Sequence, residues 1–154
     1  MISRRRRTEA LVESDPSVAH DLAALVERAV GVREVAPPRQ GLVMCQVRET
    51  ARNSRFYLGE ALMTECRVCI GDAEGLGAVL GARPELARDL AVIDAALSEG
   101  GVAPELAGEL ERSILDAEGR LAEERRRAAA RTCVSRVSFD EMGGQDMSVQ
   151  AVVK

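Results

Sequence analysis

Cys66-Arg67-Val68-Cys69 has the C-x-x-C spacing that thiolates use to hold a metal or to run dithiol redox chemistry, and Cys45 offers a third sulfur. The surroundings favour a plainer role. The run is rich in strand formers, and residues three apart on a strand point to opposite faces, so Cys66 is expected inside and Cys69 outside. A redox pair would instead be expected at a helix N-terminus, where the thiolate is stabilised. The cysteines read as structural thiols, and metal or redox chemistry at Cys66 and Cys69 is the rival reading.

Other chemistry is sparser. His20 is the only histidine, so any nucleophile-base arrangement has one possible base, and it falls on the surface of a predicted helix. Gly75-Leu76-Gly77 with Gly81 loosely echoes a phosphate loop, but the spacing fits neither G-x-G-x-x-G nor the P-loop, and glycines in a tightly packed strand explain it. Asp94 is a candidate acid or base at the edge of an apolar helical stripe, or simply a helix-boundary carboxylate. Arg4 to Arg7 is an unbalanced basic cluster that could meet an acidic partner or a nucleotide phosphate, which makes an Arg-tail nucleotide or RNA module a second rival. From Gly101 to Arg131, by contrast, seven acidic and six basic residues nearly cancel, as on a solvated helix face. No catalytic, cofactor-binding or metal-binding set emerges.

The elements that would position these residues follow from periodicity. Arg4 to Glu13 is helix-compatible, and Ser14-Asp15-Pro16-Ser17 supplies a cap before a second helix, Pro16 to Val30, with Val18, Leu22, Leu25, Val26 and Ala29 on one face. Pro37-Pro38 predicts an extended connector. The period then changes to two: Leu42 to Arg48 is a strand, Glu49 to Ser54 a loop, and Arg55 to Ile70 a second strand with a bulge or bend at Gly59-Glu60. Its alternation directs Phe56, Leu58, Leu62, Cys66, Val68 and Ile70 to the core, and Arg55, Tyr57, Glu65 and Arg67 away from it. Gly71 to Gly75 is a turn and Leu76 to Leu80 a third strand. A helix opens at Pro84 with Leu86, Leu90, Ile93 and Leu97 as its stripe, and a longer one runs from Pro104 to Ala130 with Leu106, Leu110, Ile114, Ala117 and Leu121. A fourth strand is expected over Cys133 to Phe139. The sum is a single α+β domain over residues 1 to 154: a mainly antiparallel sheet of about four strands, helices on one face and paired N-terminal helices.

The outward face of the second strand mixes Tyr57, Ala61, Met63 and Cys69 with Arg55, Glu65 and Arg67, as protein interfaces do. The interface candidates are Arg55, Tyr57, Met63, Glu65 and Arg67. The charge of -4 with a pI near 5.2 argues against general nucleic-acid binding, and no Trp, one Tyr and two Phe argue against a base-stacking groove. No run approaches a membrane span, and Arg4 to Arg7 lead into no apolar signal region, so a cytoplasmic location is expected.

Several segments, in this order, resemble a known family: Gly41-Leu42-Val43-Met44, Phe56-Tyr57-Leu58-Gly59-Glu60, Met63-Thr64-Glu65-Cys66-Arg67-Val68, Val79-Leu80-Gly81, Ala91-Val92-Ile93-Asp94-Ala95, and Val137-Ser138-Phe139 with Met142. Together they look like the PhnG subunit of the carbon-phosphorus lyase machinery, a resemblance that covers most of the chain. It departs from that pattern at 49–55, 81–85 and 137–142. The resemblance adds Phe139 and Met142 to the interface candidates. It implies a subunit that works with PhnH-, PhnI- and PhnJ-like partners and a PhnL-like ATPase, without nucleic acid or membrane. The implied reaction is displacement of adenine from ATP by a phosphonate to give alpha-D-ribose 1-methylphosphonate 5-triphosphate. The later carbon-phosphorus cleavage, using S-adenosylmethionine and an iron-sulfur cluster, belongs to another subunit. This chain is then expected to be an accessory subunit, inactive alone and binding no cofactor itself.

Overall fold

A computed structural model describes residues 2–133. In order, α1 (Arg4–Glu13), α2 (Pro16–Ala29), β1 (Arg33–Arg48), β2 (Arg55–Ile70), β3 (Ala73–Leu80), α3 (Pro84–Ala96) and α4 (Pro104–Cys133) make an α+β arrangement. By its contacts the chain divides into Met1–Leu121 and Ala122–Lys154. Of the second unit only the final turns of α4 are described, where Glu123 holds Arg126 and Arg127 from one helical turn away.

The sheet has three antiparallel strands in the order β1-β2-β3. The expected fourth strand is not among them: Cys133 is the last residue of α4, and the rest of that segment lies outside the described residues, as do Phe139 and Met142. Charged and alanine-rich residues with strong helix propensity carry α4 past its predicted end at Ala130.

Two strand boundaries and the position of the bulge differ from expectation for local reasons. β1 begins at Arg33, because Pro37-Pro38 does not break the strand; β1 is an edge strand, and the ladder absorbs the prolines by shifting register twice between Glu34 and Arg39. β3 begins at Ala73, since the turn needs only Gly71-Asp72, with Gly71 at a φ of 57°. The bulge falls at Leu58, where Cys45 pairs with Gly59 but Gln46 pairs with Tyr57. Helix α2 opens with Asp15 accepting from the Ser17 amide at 2.9 Å, which also holds the Asp15 carboxyl below its usual range.

Helix α3 lies at the centre of the packing. Its predicted stripe of Leu86, Leu90, Ile93 and Leu97 is buried, and so are Ala87, Ala91, Val92, Ala95 and Ala96. One side meets β2 and β3, the other meets α2, with Leu22 and Val26 facing in. Leu110 and Ile114 of α4 join the same core. On the sheet, Cys66, Val68, Ile70 and Val79 are buried. The approach of α3 to β3 is set by two glycines: a β-carbon on Gly75 would stand 2.2 Å from the Ala91 carbonyl oxygen, and one on Gly77 1.8 Å from that of Ala87. The faint phosphate-loop pattern is thus a helix-strand seam in which backbone meets backbone.

A candidate docking arm

Past Leu62, β3 no longer accompanies β2: the chain turns off at Gly81, whose amide donates to the Leu62 carbonyl at 2.8 Å. Thr64 fixes that exit, its hydroxyl donating to the Gly81 carbonyl at 2.6 Å and accepting from the Arg83 amide at 3.1 Å. What remains is a two-stranded arm, Leu42 to Arg48 paired with Arg55 to Leu62. Nothing in residues 2–133 covers it. Leu42, Tyr57 and Leu58 are 64%, 61% and 69% exposed, and Val43, Met44, Val47, Phe56 and Leu62 are exposed as well.

Here the predicted core positions Phe56, Leu58 and Leu62 are corrected. Alternation states which way a side chain points, not whether anything lies there. Leu62 does share the side of Cys66 and Val68, but it stands past the end of β3.

The bulge also divides the interface candidates. Because each β2 residue shares a face with its partner, Tyr57 and Arg55 stand with Gln46 and Arg48, on the side that also carries Leu42, Met44 and Leu62. Phe56 stands with Val47, on the side of Val43 and Ala61, continuous with Met63, Glu65 and Arg67. Arg55 and Tyr57 are therefore on one side and Met63, Glu65 and Arg67 on the other. Glu65 pairs with Arg39, and Arg67 lies 3.7 Å from Glu74. The arm's apolar residues were the missed signal: an apolar segment on a strand that outruns its neighbour.

The loop at the arm's end is held by Glu49. Its carboxylate accepts from the Arg52 amide at 2.7 Å, the Ala51 amide at 3.0 Å and the Ser54 hydroxyl at 3.1 Å, bonds that lower its pKa. Arg48 donates to the Asn53 side chain at 3.1 Å and stands directly opposite Arg55.

The other candidates are dispersed. Cys66 is buried, its thiol pushed up by burial, and donates to the Ala36 carbonyl at 3.4 Å. Cys69, three residues on, takes the opposite side, and Cys45 sits in the arm. Among the described residues no group of three or more His, Cys, Asp or Glu could hold a metal. Asp94 is a buried anchor, paired with Arg4 at 2.9 Å and with the buried Arg7, while its second oxygen accepts from the Leu76 amide at 3.0 Å. Arg6 pairs with Glu118 at 2.7 Å. The arginine cluster is thus part of a helix in which three of four guanidinium groups pair with carboxylates of the same chain, Arg7 in the interior and Arg4 and Arg6 at the surface, which weakens the Arg-tail reading.

His20 is exposed, with Nδ1 3.4 Å from the buried Asp89 carboxylate, in an open cleft of about 520 Å³ beside Arg83. Burial raises the Asp89 pKa, and His20 only partly offsets it. A carboxyl whose folded pKa is raised contributes stability below its unfolded value and loses it as pH rises through the folded one. Asp89→Asn is expected to raise the melting temperature at neutral pH, with the gain vanishing below pH of about 4, near the ordinary aspartate pKa. A gain independent of pH in calorimetric melts would refute this account.

No helix among the described residues is long and apolar enough to cross a membrane. The geometry defines a class: a small α+β protein whose described residues carry a two-stranded arm with a prominent exposed apolar surface. The sequence model of the family described as "Phosphonate metabolism protein PhnG" matches residues 2–144, and the chain belongs to that family. Its place is in phosphonate metabolism. No curated protein matches the chain.

Proposed function

We propose that this chain is a non-catalytic subunit of the carbon-phosphorus lyase core complex and that its arm seats it against PhnH-, PhnI- or PhnJ-like companions. The observation that carries the reading is the arm of a PhnG-family chain exposing large apolar side chains on both sides. A two-stranded ribbon is marginally stable in water, so a partner surface that buries it supplies stability as well as contact. Within the assembly the chain supports ATP-dependent formation of alpha-D-ribose 1-methylphosphonate 5-triphosphate by holding the reacting subunits together. ATP, S-adenosylmethionine and the iron-sulfur cluster are handled by those other subunits and a PhnL-like ATPase.

Co-expression with the companion subunits of the same host tests it. Replacing Leu42, Met44, Phe56 and Leu58 by serine is expected to abolish co-purification and adenine release from ATP plus methylphosphonate. The melting temperature of the isolated chain should stay within a few degrees of the parent, because none of the four belongs to the core. Normal assembly by this variant would refute the arm as the docking element. Failure of the unaltered chain to assemble would refute the subunit reading itself.

A further inference from the structure

The two open edges of the arm are not alike. On β2 the edge carries Arg55, Glu60 and the bulge at Leu58, all features that discourage another strand from adding. The inner half of β1 is protected in the same way, by its prolines, its two register shifts and its charged residues. Between Arg39 and Arg48, however, β1 has no charge and no proline, and the arm's one irregularity places its extra residue on β2. The unprotected stretch coincides with the exposed apolar one. An edge strand offers alternate amides and carbonyls to the open side.

Charge says what should lie there. Arg48 and Arg55 face each other across the ladder, and like charges directly opposite are destabilising. Neither has a carboxylate partner among the described residues, and Glu49, next to Arg48 in sequence, is engaged by the loop's own backbone. A second copy laid antiparallel in the register of fullest overlap would bring Arg39 to Arg48, not a carboxylate.

We infer that the free edge of β1 from Gln40 to Val47 is a strand-pairing site for an extended, mainly apolar segment of a partner subunit, with a carboxylate at the end that lies beside Arg48. Main-chain bonds to the edge give affinity, and the arginine pair fixes direction and register.

This rests on the subunit reading, and hydrogen exchange on the isolated chain and on the complex with its co-expressed companions separates the two. In the isolated chain alternate amides of 40–47 should exchange fast, the others being bonded to β2. In the complex the fast set should slow at least tenfold, and Arg48→Glu with Arg55→Glu should weaken assembly about tenfold while leaving the isolated chain's melt unchanged. A complex whose open amides stay fast overturns strand pairing and leaves the subunit reading standing. Protection that grows with concentration of the chain alone overturns it in favour of a second copy. Absence of any complex removes both readings.

Discussion

Replacing Asp94 by alanine is expected to remove about 3–5 kcal/mol of folding stability, the range found when one partner of a buried ion pair is deleted. The reason lies in what remains. Arg7 is as buried as Asp94, so its guanidinium would be left in the interior with no counter-charge, and the Leu76 amide would lose its acceptor. Arg4, mostly exposed, can turn to water and adds little. The pair joins α1 to α3 and to β3, elements far apart in sequence, so the loss should appear as global unfolding. Urea melts of Asp94→Ala against the parent measure it. A control sharpens the interpretation: Arg7→Met with Asp94→Leu removes both charges and should recover much of the loss. If Asp94→Ala costs less than about 1 kcal/mol, in the range of an exposed ion pair, the anchor reading is wrong.

The second large effect belongs to the seam between α3 and β3. Gly77→Ala places a methyl group 1.8 Å from the Ala87 carbonyl oxygen, and that oxygen is backbone of a helix buried nearly all round. The helix must retreat from the sheet, with loss of at least about 1–3 kcal/mol from overpacking. Gly75→Ala is expected to behave similarly, since its β-carbon would meet Ala91 and Ala95. Gly108→Ala in α4 is the opposite case: no heavy atom lies within 4 Å of the added carbon, so helix propensity alone should stabilise it by about 0.5–1 kcal/mol. Equal melting temperatures for the Gly77 and Gly108 variants would dispose of the seam.

These two features also mark where sequence reasoning reached and where it stopped. The stripes of α3 and α4 were legible because local periodicity determines them, and Leu86, Leu90, Ile93, Leu110 and Ile114 are buried as read. The glycines of β3 were legible as packing glycines, though not the helix they admit. Asp94 could be singled out but not assigned, because its partner Arg7 lies 87 residues away and no local pattern announces the meeting. Leu62 was misplaced because period two fixes a face while coverage depends on where β3 stops, and Phe56 because the bulge at Leu58 also turns it to the other side. The bulge at Leu58 then exchanged the faces of Arg55 and Tyr57 relative to Met63, Glu65 and Arg67. Of the proposed docking site the sequence held the composition, and the pairing supplied the geometry.

The uncovered arm also bears on the life of the chain before assembly. A copy made in excess of its partners keeps Leu42, Tyr57 and Leu58 in water, the kind of surface that chaperones and proteases triage. If the arm docks as proposed, orphan copies should be shorter-lived than assembled ones, so that the amount that persists would follow the supply of companions. On the proposed reading, the surface that would seat the subunit would double as a stoichiometry sensor.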